Sequence, residues 1–209
     1  MKKIITIAWI ILYTGCTLIT KTFSQEKQSG LIIIDYEAIH RRNGELLLLN
    51  NDQEIIGRFT PDSIVVLEKK YEIDKLKRNV FNEHFNSLSY YPDYYIIVLK
   101  GYKIGKDRFE INVDGKTAFI ESKYASFQSN EEYIRDKSVS LTKKTELKKE
   151  MDDNSETISN YLYYSYIVLE VNGDWLKVKC NKEVFGLDFV GYVRWKINDE
   201  IAVKVLYSY

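Results

Sequence analysis

From Leu31 onward, short runs of aliphatic, β-branched and aromatic residues alternate with turn signals, and helical spacing is scarce. The alternation predicts strands at Asp35 to His40 and Glu45 to Leu49, joined through Arg41-Arg42-Asn43-Gly44, whose Asn-Gly pair tolerates the positive φ of a tight hairpin. Asn50-Asn51-Asp52 closes a second turn. Glu54 to Phe59 and Ser63 to Leu67 follow as strands around Thr60-Pro61-Asp62, where proline presets one turn dihedral and removes a ladder donor. Between Tyr71 and Tyr91 the pattern changes: Leu76, Val80, Phe81, His84, Phe85 and Leu88 recur as on one helical face, which predicts a short helix or a long loop. After Pro92, strands return at Tyr94 to Leu99, Arg108 to Val113 and Thr117 to Glu121, with turns at Gly105-Lys106-Asp107 and Asp114-Gly115.

The second half repeats this order. Tyr163 to Val171, Trp175 to Cys180 and Gly191 to Trp195 read as strands, with turns at Asn172-Gly173-Asp174 and over Asn181 to Phe189. Asp107-Arg108-Phe109-Glu110-Ile111 matches Asp174-Trp175-Leu176-Lys177-Val178 in alternation, and Ala118-Phe119-Ile120 falls against Gly191-Tyr192-Val193. The polar stretch Ser126 to Glu131 separates the halves. The expectation is an all-β chain of two small domains, 31–128 and 129–209, with the helix or loop inserted in the first.

The N-terminus has a different character. Lys2 and Lys3 precede an apolar run from Ile4 to Tyr13, the form of an export signal covering residues 1–24, and the run is too short for a stable transmembrane span. Cleavage after Thr22-Phe23-Ser24 is favoured. It would release a periplasmic or extracellular product beginning at Gln25. A competing site, Thr14-Gly15-Cys16, resembles a bacterial lipobox and would anchor the chain through a lipid on Cys16, although Tyr13 stands where aliphatic residues are usual. With the first cut only Cys180 remains, so no intrachain disulfide can form, and its alternating neighbours predict a buried small side chain.

Composition narrows the function classes. Thirty basic and 30 acidic residues balance; losing Lys2, Lys3 and Lys21 leaves 27 against 30, a formal −3, so no global field draws nucleic acid or anionic lipid. Hydrophobic residues at 45% are enough for packed cores, and 17 tyrosines are the unusual count.

Val168-Leu169-Glu170-Val171-Asn172-Gly173-Asp174-Trp175-Leu176-Lys177-Val178, followed by Gly191-Tyr192-Val193, resembles a bacterial SH3-like domain: strand, Gly-Asp-Trp turn, strand, Gly-Tyr-Val strand. The resemblance covers roughly Asp136 to Tyr209 and reaches the first half only through the repeat. It implies two small SH3-like barrels in tandem. It also implies a structural core role for Trp175, Gly191 and Tyr192, with the glycine permitting close backbone approach, and a part in binding peptidoglycan or another exported protein. Asp35-Tyr36-Glu37-Ala38 resembles the start of proline-binding SH3 domains of eukaryotes, but the paired Trp and the Pro-Tyr of that groove are missing, and the function is not carried over.

Candidate chemistry is sparse. Cys180 follows both His40 and His84 and lies on a strand, contrary to a papain-like nucleophile and base, and no His-Glu-x-x-His spacing occurs. Asp152-Asp153-Asn154-Ser155-Glu156 lacks the glycine and the distal glutamate of a calcium loop. No cofactor, no metal site and no catalytic residue is assigned. The tyrosine clusters carry more: Tyr94 and Tyr95, and Tyr163, Tyr164 and Tyr166, stand at matching places before the central hairpin of each repeat, and are the candidate ligand-binding residues. The expected function is an exported, non-catalytic module that recognises wall peptide or glycan, the alternative being an adaptor, or an inhibitor or immunity protein that masks another exported protein.

Overall fold

The computed structural model describes residues 26–73, 75–159, 162, 164–180 and 189–207. The expected export signal, Cys16 and Tyr163 lie outside the described residues. The chain is mostly β, with antiparallel pairing in every sheet.

The first half supplies β1 (Lys27–Asp35), β2 (Leu46–Leu49), β3 (Ile55–Phe59), β4 (Ser63–Val66) and β5 (Lys69–Glu72). It continues through β6 (Ser87–Tyr91), β7 (Ile96–Ile104), β8 (Arg108–Val113), β9 (Lys116–Glu121) and β10 (Ala125–Gln128). These form one sheet in the order β10-β1-β7-β8-β9-β2-β3-β4-β5, with β6 also on β7. Helix α1 (Tyr36–Arg41) follows β1, α2 (Arg78–His84) precedes β6, and α3 (Asn130–Ile134) leads into the second half.

Where alternation predicted a strand at Asp35 to His40, the structure has α1. Asp35 caps it, accepting from the Ala38 N–H at 2.9 Å, and Tyr36 and Ile39 are the buried pair, three apart rather than two. The Asn-Gly pair ends this helix instead of turning a hairpin: Asn43 takes φ 47°, its N–H reaches the His40 carbonyl, and Gly44 N–H reaches that of Ile39 at 2.9 Å. The expected helix between Tyr71 and Tyr91 is α2, and its Phe81 stacks on Phe85 and Tyr90 with centroids 4.6 and 4.0 Å apart.

The second half contains β11 (Ser138–Ser140), β12 (Leu147–Lys148), β13 (Thr157–Ser159), β14 (Tyr166–Asn172), β15 (Trp175–Cys180) and β16 (Val190–Arg194). A small hairpin of β17 (Lys196–Ile197) and β18 (Glu200–Ile201) precedes the last strand, β19 (Lys204–Leu206). The second sheet runs β13-β12-β16-β15-β14-β11-β19. Each half thus holds a three-stranded meander, β7-β8-β9 and β14-β15-β16.

Two buried clusters result, and they share a wall. β1 and β7 pair Ile32 with Leu99, Ile33 with Val98 and Ile34 with Ile97. Ile32, Ile34, Ile97 and Leu99 point into the first cluster, whereas Leu31 and Val98 belong to the second, with Ile33 and Ile96 packed against it. Strands buried on both faces carry unbroken apolar runs, as Leu31 to Ile34 and Ile96 to Leu99 do. Helix α3 fastens the junction: a reciprocal capping box between Ser129 and Glu132 starts it, and Tyr133 and Ile134 drop into the second cluster. The Ser129 N–H and hydroxyl hold the Glu132 carboxyl below its usual range. A hydrogen-bond chain from the Tyr133 hydroxyl through that of Tyr207 to Ser89 Oγ then ties the second half to β6.

Candidate functional site

The turn before Trp175 is built from the second half's own backbone. Gly173 takes φ 55°, which L side chains adopt rarely, and its carbonyl accepts from Trp195 Nε1 at 2.9 Å. The Asp174 carbonyl accepts from the Trp195 N–H at 2.9 Å. Trp195 is thereby fixed and fully buried. Trp175, expected in the core, is only half-buried: it begins β15 opposite Arg194 on β16, and the Arg194 guanidinium lies over its ring at 6.0 Å. The alternation that buries Leu176, Val178 and Cys180 necessarily turns Trp175 to the other face.

That face is a cleft of about 290 Å³, lined by Trp175, Arg194, Lys144, Glu146, Lys148 and Asp153 among others. The lysines and acids come from the long connection between β11 and β14. Arg194 pairs with Asp153 of that connection and with Asp174 at 3.9 Å, while Lys148 pairs with Glu146 at 2.8 Å. Lys148 and the Thr157 hydroxyl lower the Glu146 pKa. Gly191 does permit close approach, since a Cβ there would lie 2.7 Å from the Lys148 carbonyl oxygen. Tyr192, beside it, is half-buried.

A larger cleft of about 660 Å³ adjoins the first and shares Lys143, Lys144 and Ile197 with it. It lies where the halves meet, between β6 with the start of α2 on one side and the β17-β18 hairpin with β19 on the other. Arg78 and Tyr91 face it from the first half, and Lys204 from the second. Arg78 donates to the Tyr91 hydroxyl and to the Leu88 carbonyl, each at 3.0 Å.

The tyrosines singled out by their spacing do not gather into one groove. Tyr94 and Tyr95 are 52% and 40% exposed at the turn before β7, where Tyr95 adopts φ 56° and its ring meets those of Tyr36 and His40. Tyr166 is fully buried in the second cluster, and Tyr164 packs against that cluster with its ring 6.4 Å from that of Tyr166. Alternation along β14 explains the burial of Tyr166. What spacing missed was Arg78 and Lys204, which lie far apart in sequence and line one cleft where Tyr207, just past β19, bonds Ser89 and meets Tyr91 of β6.

A carboxylate, imidazole and phenol do line up elsewhere. His84 Nδ1 bonds Asp114 Oδ1 and its Nε2 bonds the Tyr71 hydroxyl, both at 2.8 Å. The three come from the β8-β9 turn, the end of α2 and β5, and none lines either cleft. Phe85 bridges Val113 beside them and Asp114 N–H donates to the His84 carbonyl, so the trio clamps α2 to the sheet. Among the described residues no group of three or more His, Cys, Asp or Glu could hold a metal ion, and no helix is long and apolar enough to cross a membrane. Cys180 is buried in the second cluster.

Comparison with protein-family models, with curated proteins and with solved structures finds no match to this chain.

Proposed function

We propose that this chain is an exported, non-catalytic binding protein that recognises cell-wall peptide or glycan through an SH3-like groove in its second half. The strand order supports the SH3-like reading. The first strand of the second half, β11, pairs with the last, β19; a long hairpin-bearing connection follows β11; and β14-β15-β16 form the central meander. The first half, with its own central meander inside a ten-stranded sheet, is read as an expanded and divergent counterpart.

The observation that carries the functional reading is Trp175, which stands half-buried on a cleft wall at the start of β15 and faces the polar residues of the long connection. An aromatic platform edged by Lys, Arg and carboxylates suits an extended peptide with alternating charge, or the face of a sugar. Neither cleft brings a nucleophile together with a base and an orienting third group among the described residues, which favours binding over catalysis.

Co-sedimentation of the processed chain, from Gln25 on, with purified peptidoglycan sacculi tests the reading. Saturable binding is expected, abolished by Trp175→Ala with a melting temperature lowered by no more than a few degrees. A wild-type chain that stays in the supernatant at low and moderate salt sinks it. The second reading, a role in masking or joining another exported protein, is favoured by one observation: Ile167, Leu169 and Val190 are 42%, 50% and 45% exposed on the outer face of β14 and β16. Capture of one envelope protein that is lost with Leu169→Lys, while sacculi are ignored, would select it.

A further inference from the structure

We propose that the cleft between the two halves is a subsite for a peptide segment that carries carboxylates beside apolar side chains. Four cations border it: Arg78, Lys143, Lys144 and Lys204. Among the described residues none of the four is in an ion pair, although most other charged groups near the neighbouring cleft are matched with acids. Arg78 is held by neutral partners only, the Tyr91 hydroxyl and ring and the Leu88 carbonyl, which orient the guanidinium without cancelling its charge. Of its five N–H donors those two bonds use two, and the rest remain for a bidentate acceptor such as a carboxylate.

The cleft is also preformed. Its floor includes Ser89, which ends the hydrogen-bond chain from Tyr133 through Tyr207, so ligand binding does not have to order the junction first.

Shape and charge choose the class of anion. At about 660 Å³ the cleft admits a few residues of a chain but not a nucleic-acid duplex. Leu88, Ile201 and Val203 line the cleft together with the cations, which provides for apolar side chains beside charges. Glu200 on the rim opposes an uninterrupted run of negative charge, as in a phosphodiester polymer, and is tolerated by a ligand whose carboxylates are spaced.

The site does not depend on the wall reading, because Trp175 lies outside this cleft and the probe is soluble. Isothermal titration of the full chain would use N-acetylated Leu-Glu-Leu-Glu with a free C-terminus, against the peptide with Gln for each Glu and an amidated end. The acidic peptide should bind and weaken as salt rises, and the neutral one should bind at least roughly tenfold more weakly. Lys143→Gln with Lys144→Gln should cost roughly tenfold, and Lys204→Gln should weaken binding again. Lys69→Gln with Lys70→Gln, on exposed strand β5, should change nothing. Equal affinity for the two peptides, wild-type affinity in the Lys143/Lys144 variant or in the Lys204 variant, whose lysine lines this cleft and not that of Trp175, an equal loss in the Lys69/Lys70 variant, or no binding of the acidic peptide would each overturn the proposal.

Discussion

The two buried clusters are unequal in what they own. The first is lined entirely by residues of the first half, and its rings include Phe59, which meets Phe85, and Phe85, which stacks on Phe81. The second takes Leu31 and Val98 from β1 and β7, with Ile33 and Ile96 behind them. The second half therefore does not close over its own apolar surface, and the difference makes it an addition to a finished wall rather than a second bead on a string. Burying an aliphatic side chain contributes about 1.5–3 kcal/mol, and a fragment of this size has little surplus stability to lose.

The largest expected effect breaks the pair apart. Residues 129–209 expressed alone should show no cooperative thermal transition by circular dichroism. Residues 26–128 should melt cooperatively while self-associating through the uncovered strip of Leu31, Ile33, Ile96 and Val98. A sharp melt of the isolated second half would show that the borrowed residues are dispensable and the halves independent.

Within the second half the same logic separates two tryptophans. Trp195→Ala opens a cavity at the centre of the second cluster and removes the indole bond to Gly173, so it should cost about 3–5 kcal/mol in denaturant titration. Trp175→Ala, on the cleft wall, should cost less than about 1 kcal/mol. Reversal of that order would return Trp175 to the core and remove the proposed groove.

Much of the architecture was legible in the alternation. Strands β3, β4, β8, β9, β15 and β16 fall within a residue or two of their expected places, because turn residues flank them and because β3, β8, β15 and β16 bury alternate positions, while β4 and β9 are rich in β-branched and aromatic residues. Helix α1 was not legible as a helix: six residues are too few for periodicity to decide, and Asp35 as a cap and Asn43-Gly44 as a terminator use the same residue types as a hairpin. The tryptophan assignment failed on parity. A Gly-Asp-Trp turn says that an indole is near a barrel, but the buried face of β15 belongs to Leu176, Val178 and Cys180, and Trp195 holds the interior place. The shared wall did leave a signal, since four apolar residues in a row at Leu31 and again at Ile96 offer apolar side chains to both faces, although Leu46 to Leu49 does the same and has one face only half-buried. The cationic cleft left none, because its members come from four separate stretches of chain.

The smallest expected effect sharpens whether the unequal cores unfold together. Both contain buried phenols. Burial, with Asp62 and Tyr95 adding to it, pushes the Tyr36 hydroxyl up to about 12, and it donates to the Pro61 carbonyl at 2.5 Å in the first half. Burial also raises Tyr90 in the first half and Tyr133, Tyr166 and Tyr207 in the second. An unfolded phenol ionises near 10, so above that pH the unfolded chain has shed protons that the folded chain keeps. The linkage slope is then negative: stability is fully present below about pH 10 and falls as pH rises toward 12, by on the order of 1 kcal/mol at pH 11 for a phenol shifted as Tyr36 is. In the chain from Gln25 on, both tryptophans, Trp175 and Trp195, lie in the second half, so the indole emission maximum and the far-ultraviolet signal should change together in one transition above pH 10. Two separated steps, with the indole emission shifting before the backbone signal is half lost, would mean that the second half detaches from the wall while the first remains folded.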